Sequence, residues 1–451
     1  MPNIIILILT LIISVLGIVA LWLGYEKDKS EDPEAKKKFR KNIFILCLVM
    51  AFLNGIKALN DYSKPQAVPL AVIEQQLLAN QVDILRKLSV PTQQEVESEI
   101  DKEFQSQFQK KKKNALEIYN KGAGAYKNGN FKIAIILFEK AIEIFPIPSF
   151  YLYRGASYSL TNQNDLALDD YNKSIELKPD DANAYNNRGV AWGKKGNFDQ
   201  AILDFNKAIE LNPHAAYAYT NRGCAWGEKG DLDQAILDYN KAIELNPNDS
   251  DVYYNRGTTW GEKGDFDQAI FDYNRAIELN PDDAKVYYNR GTTWGKKGDF
   301  DQAILDFNKA IKLNPNAAYV YTNRGSAWGK KGNFDQAILD YNKAIELNPN
   351  DANVYYNRGT TLEEKGDFDQ AICDYNKAIE LNPSDFDAYN NRGAVWEKKG
   401  DLDQAILDYS KAIELNPNYV RAYNNRGIAW GKKGNFDQAI LDFNKAIKLN
   451  L

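Results

Sequence analysis

A single histidine, His214, and three cysteines are all that 451 residues offer for the chemistry those side chains usually perform. Cys47, Cys224 and Cys373 stand far apart with no metal-ligand spacing, so neither a disulfide framework nor a zinc site is expected. His214 sits in a loop beside Pro213 and reads as solvent-exposed. Without a second histidine the common hydrolase constellations cannot be assembled. The sequence therefore predicts no enzyme, no metal and no cofactor. Charge of one sign is not in large excess either, with 56 Lys+Arg against 61 Asp+Glu and a net of −5. Residues 1–114 carry 16 basic against 13 acidic side chains, and residues 115–451 carry 40 against 48, so the front is +3 and the remainder −8. An acidic body is a poor partner for nucleic acid. With 44% apolar and 26% charged residues, the chain is not expected to be disordered.

Long apolar runs are confined to the front. Ile4 to Leu23 is free of charge, and at about 1.5 Å per residue it matches a hydrocarbon core of about 30 Å. Segment 1–24 is predicted to be a transmembrane anchor; a cleaved signal peptide competes, but no Lys or Arg precedes the run and no small-x-small site follows. The loop 25–41 holds seven Lys+Arg and is expected on the cytoplasmic side. Segment 42–59 is short for a span unless Lys57 snorkels, so a second crossing and an interfacial helix both stay open. That choice decides the side of the membrane: a hairpin places the rest outside the cytoplasm, a single span inside.

A helical linker is expected over 60–114, punctuated by Pro65, Pro69 and Pro91. Ile73, Leu77, Val82, Leu85 and Leu88 suit one face of a short helix. Thr92 and Glu95 form a capping-box start for a second helix, whose stripe Val96, Ile100, Phe104, Phe108 is a packing face for the first repeat or for another copy. Lys110 to Lys113 reads as a solvated face that could touch anionic lipid.

Beyond the linker the chain repeats itself. Pro179, Pro213, Pro247 and Pro281 begin a proline ladder with a constant period of 34, and Gly155, Gly189, Gly223 and Gly257 begin a matching glycine ladder. A period of this length signals stacked supersecondary units sharing one core. Ten units follow, 115–147, 148–181, 182–215, 216–249, 250–283, 284–317, 318–351, 352–385, 386–419 and 420–451, the first of them divergent. In the unit 182–215, Tyr185, Gly189 and Trp192 share one face of a first helix that Gly196 closes. Asn197 and Gln200 cap a second, whose buried stripe is Phe198, Ala201, Phe205, Ala208 and Leu211 before Pro213 forces a turn. Small Gly189 and Ala201 let the helices approach closely. The predicted fold is an all-α solenoid of helix-turn-helix repeats.

Tyr185, Gly189, Trp192, Ala201, Phe205, Ala208 and Pro213, recurring with constant spacing over about three quarters of the chain, resemble the tetratricopeptide repeat family. The resemblance implies a right-handed superhelix whose first helices line a concave groove that binds peptides or proteins, and it implies no chemistry. Two departures stand out. Arg188 and its counterparts occupy a place where the family usually has Leu, and the sequence as given stops at Leu451 without the family's frequent solvating helix. The Lys and Asn pair with which some members clamp a C-terminal carboxylate is also absent, its places holding residues such as Asn186, Tyr254, Thr258 and Thr292.

Each unit carries a polar triplet where an apolar helix face is expected. Arg188 needs a partner for its charge, and Asp204 on the second helix offers one. Arg222 with Asp238, Arg256 with Asp272 and Arg290 with Asp306 repeat the arrangement, and the divergent first unit loses both at Lys121 and Leu137. A structural ion pair within a unit or between adjacent units is expected, with a groove-facing anion site as the alternative. Asn187, Asn221, Asn255, Asn289, Asn323, Asn357, Asn391 and Asn425 recur while neighbouring positions diverge. A row of carboxamides can hydrogen-bond an extended backbone without reading its side chains, with Tyr254, Tyr288 and Tyr356 adding apolar contact. Helix-capping or water-bound asparagines are the competing reading. Gly193, Gly227, Gly261, Gly295 and Gly329 cost about 1 kcal/mol each inside a helix, which either ligand approach or an early helix end would explain.

The function expected is a membrane-anchored scaffold that binds extended protein or peptide segments in the groove. The alternative is a structural assembler, a homo-oligomer formed through the final unit and the linker helix.

Overall fold

The computed structural model describes residues 93–450. The anchor 1–24, the loop 25–41, the segment 42–59, most of the linker and Leu451 lie outside the described residues, as do Thr92 and Cys47. Among the described residues no helix is long and apolar enough to cross a membrane. Two compact units divide the chain at Glu117 and Ile118. In the first, the opening part of the helix Gln93–Lys127 exposes Phe104 and Phe108, and Gln107 donates to Glu103 at 2.9 Å.

The second unit is a solenoid of paired helices. In the unit 182–215 these are Ala182–Lys194 and Phe198–Leu211, and the pattern continues to Val420–Lys432 and Phe436–Asn450. Local chemistry sets the boundaries. Gly196 adopts φ +75°, a left-handed turn that only glycine enters at little cost, and the Asn197 side chain then accepts from the Gln200 amide at 3.2 Å to start the second helix. Where Asp starts the second helix instead, Asp231, Asp265 and Asp299 accept from the amide three residues on in the same way.

Close packing follows from residue size. A methyl group on Gly189 would lie 2.7 Å from the Phe205 ring, and one on Gly223 would lie 2.8 Å from Tyr239, so the aromatic ring of the second helix rests on bare backbone of the first. Phe205 is buried with Ala201 and Ile202 against Ala225 of the following unit, with Trp192 and Trp226 filling the flanks. Burying a side chain of that size stabilises by about 2 to 3 kcal/mol. Ala208 meets Ala215 and Ala218 in the same way, so each second helix is sandwiched between its own first helix and the next one.

Consecutive first helices also touch one another, whereas among the described residues the second helices pack only on first helices. The first helices therefore form the tighter, inner row of the stack and the second helices the outer row.

Candidate groove on the row of first helices

Arg188 joins three helices. Its Nε and Nη2 donate to both carboxylate oxygens of Asp204 at 2.8 and 2.6 Å, and Nη1 donates to Asn172 of the preceding unit at 2.7 Å. The guanidinium also lies 5.4 Å from the Tyr185 ring centroid. Arg222 holds Asp238 and Asn206, Arg256 holds Asp272 and Asn240, and Arg290 holds Asp306 and Asn274 with the same geometry. The bidentate fork suits a planar guanidinium and would not be matched by lysine. Burial pushes the Asp272 and Asp306 carboxyls up, and the hydrogen-bonded guanidinium offsets part of that rise. Asp272 is only 1% exposed, which leaves a groove ligand little access to it. The arrangement ties helices together within a unit and across the boundary to the unit before.

The third partner is a residue that the sequence reading passed over. Asn172, Asn206, Asn240 and Asn274 recur two residues after each Asp, and Ser410 replaces asparagine once and still accepts from Arg426 at 3.0 Å. The signal was the strict recurrence of a polar residue on the second helix.

The asparagine ladder is engaged between neighbouring first helices. Asn289 Nδ2 donates to the Tyr254 hydroxyl at 2.7 Å, Asn323 to Tyr288 at 2.7 Å, and Asn391 to Tyr356 at 2.8 Å. Asn221 and Asn425 donate to Asn186 and Asn390 at 3.0 Å, and Asn255 reaches the Cys224 sulfur at 3.7 Å. Asn187 accepts from its own neighbour Asn186 at 3.3 Å, while Asn357 is half-buried. Six of the eight, Asn221, Asn255, Asn289, Asn323, Asn391 and Asn425, thus use their donors to brace one unit against the one before. What reaches the inner surface is the partner. Tyr254, Tyr288 and Tyr356 accept from asparagine through the hydroxyl oxygen, and Tyr254 and Tyr288 also engage the Thr258 and Thr292 side chains. Burial raises the pKa of all three and keeps them protonated.

Beside these tyrosines runs a floor of glycines. A methyl group on Gly193, Gly227 or Gly295 would meet nothing within 4 Å, and at Gly261 the nearest atom would be 3.9 Å away. Gly193, Gly261 and Gly295 lie in the last turn of their helices, which end at Lys194, Lys263 and Lys297. Crowding does not account for these glycines, in contrast to Gly189 and Gly223. In the eighth and ninth units the floor position holds Glu363 and Glu397. Glu363 accepts from Tyr375 at 3.0 Å and pairs with Lys398 at 2.8 Å; Glu397 accepts from Tyr409 at 2.8 Å and pairs with Lys432 at 2.8 Å.

No group of three or more His, Cys, Asp or Glu side chains that could hold a metal occurs among the described residues. His214 is exposed, with its backbone amide donating to Asn212. Cys373 is exposed, and burial pushes the Cys224 thiol up.

Comparison with known proteins bears on what these units are. The tetratricopeptide repeat model matches 182–215, 216–249, 250–283, 284–317, 386–419 and 420–450, and a related TPR repeat model matches 155–196, 329–366 and 361–400. No curated protein matches the chain. Among solved structures, MamA is 33% identical over 36% of this chain and 94% of its own, with a TM-score of 0.34. YrrB, described as a TPR protein with an unusual peptide-binding site, is 26% identical over 44% of this chain and 97% of its own, at 0.37. Yeast Tom70 is 19% identical over 75% of this chain and 92% of its own, at 0.40. With more than half its length matched and paired helices throughout the matched region, the chain belongs to the tetratricopeptide repeat family.

Proposed function

We propose that the protein is a membrane-anchored scaffold whose inner row of first helices captures an extended protein segment. Protein binding is the general property of this family; the groove and the form of the ligand are the more specific reading. The observation that carries it is the uncrowded glycine floor. Five helix-weakening residues line one face in succession without a steric reason, and an approaching backbone is the physical return for their cost. Beside them stand the Tyr254 and Tyr288 hydroxyls, polar contacts for an extended backbone. Changing Gly227, Gly261 and Gly295 to Leu should abolish peptide capture while circular dichroism reports unchanged helix content. Undiminished capture by a folded triple variant would overturn the reading.

Anchoring rests on the apolar run Ile4 to Leu23 and the basic loop after it. Protease protection of the repeats in sealed vesicles tests it and assigns the side. A second reading, self-association, rests on Phe104 and Phe108, which stand exposed on the helix Gln93–Lys127. Light scattering of the full chain that gives a monomer would remove it.

A further inference from the structure

The inner row is not uniform in charge, and this bears on which segment fits it. The residues that link neighbouring first helices mark the face: Tyr217 donates to Asn183 near one end of the helices, Tyr288 meets the Tyr319 ring, and Lys194, Lys398 and Lys432 reach Ser159, Glu363 and Glu397 near the other. Counterparts of these residues in the fourth and fifth units are Glu228, Asp251 and Glu262. In the sixth and seventh they are Lys285, Lys296 and Lys330. All six are exposed, and no ion pair or side-chain hydrogen bond engages any of them. Glu364 follows. Beyond it Lys398 pairs with Glu363 and Lys432 with Glu397, the two residues that fill the floor, and Asp387 accepts from Tyr419.

We infer that the groove takes an extended segment with a split charge, its basic half over the fourth and fifth units and its acidic half over the sixth and seventh. The inference rests on the groove reading above and adds the composition, extent and direction of the ligand. Apart from Glu364, the free charges of this series lie over the open floor of the fourth to seventh units, so most of the charges that a ligand can meet coincide with the space that can hold it. The three carboxylates and three ammonium groups are solvated, so their contribution is to selectivity and orientation more than to raw affinity, and salt weakens it. At about 9 Å between adjacent helices and about 3.4 Å per extended residue, four units correspond to roughly ten residues. A reversed segment would set like charges against each other at both ends, so the pattern fixes direction as well.

The test uses the full-length chain and fluorescence anisotropy with labelled peptides of about ten residues. One has a lysine-rich half and a glutamate-rich half, a second alternates the same residues, and a third is uncharged. The split peptide is expected to bind about tenfold more tightly than the alternating one at low ionic strength, with the gap closing as salt is added. Reversing Lys285→Glu, Lys296→Glu and Lys330→Glu together, all solvent-facing, should remove that preference and favour an all-lysine peptide instead. Equal binding of all three peptides, or a preference that survives the reversal, overturns the charge assignment. If that equal binding still falls when Gly261 and Gly295 become Leu, the groove itself stands. Failure to capture any peptide, or capture indifferent to the glycine changes, overturns the groove reading and this inference with it.

Discussion

Asn289 and Tyr254, 35 residues apart in sequence, meet at 2.7 Å on adjacent first helices, with the carboxamide donating and the phenol oxygen accepting. The bond makes both residues part of the brace between two units, with the phenol oxygen as acceptor. Asn289→Ala and Tyr254→Phe should each cost about 1 kcal/mol of stability, and the double variant should cost clearly less than the sum. A strictly additive cycle in thermal unfolding would remove the bond from the account. On the proposed groove reading the phenylalanine variant should also weaken peptide capture, since it lacks the hydroxyl.

The Arg256 fork makes a stronger demand. Arg256→Met strands the Asp272 carboxylate in a buried place and should destabilise by about 3 kcal/mol. Arg256→Met with Asp272→Leu should recover most of that loss, leaving a residue of about 1 kcal/mol for the unpaired Asn240. Denaturant midpoints that are equal for the single and double variants would contradict the pairing.

Glycines of the same helix should respond in opposite directions. Gly189→Ala places a methyl group 2.7 Å from the Phe205 ring and should destabilise by about 1 to 3 kcal/mol. Gly193→Ala, four residues on, meets open space and should stabilise by up to about 1 kcal/mol. Calorimetry that finds the same sign for both would contradict the division between crossing glycines and floor glycines.

Alkaline pH should loosen the stack. Burial raises the Tyr273 pKa from 10.0 to about 12, and Tyr171, Tyr375 and Tyr409 are pushed up further still. The folded state holds the phenol proton more tightly than the unfolded chain, so stability is full below about pH 10 and falls as pH rises through the folded values. Urea midpoints measured between about pH 9 and 11.5 should decline, and Tyr273→Phe should reduce the decline. A midpoint independent of pH would contradict it.

Much of this architecture is legible in the chain because repetition magnifies weak signals. The 34-residue period, the glycine that ends nearly every first helix and the alanine ladders all follow from local rules that act within one unit. Arg and Asp are readable as partners because a buried guanidinium demands a counter-charge and both vanish together at Lys121 and Leu137. Contacts between units are harder to read. The Asn289 to Tyr254 bond depends on the stagger of one first helix against the next, which no single helix reveals, so the asparagines look like free carboxamides. The part of Asn206 is obscured for the same reason: it sits on one unit and completes the arginine of the next. Another coupling shows the same limit. Tyr239, Tyr273 and Tyr341 reach Cys224, Thr258 and Ser326, contacts visible only once the helices are paired.

Photo-crosslinking from the middle of a bound extended peptide tests the central claim most directly, because the two faces of the solenoid carry different residues. Crosslinks should concentrate on the first helices, at Tyr254, Tyr288 and Thr292 beside the glycine floor. Crosslinks concentrated on the outer row instead, where Leu203, Leu237 and Leu305 stand exposed on the second helices, would contradict it.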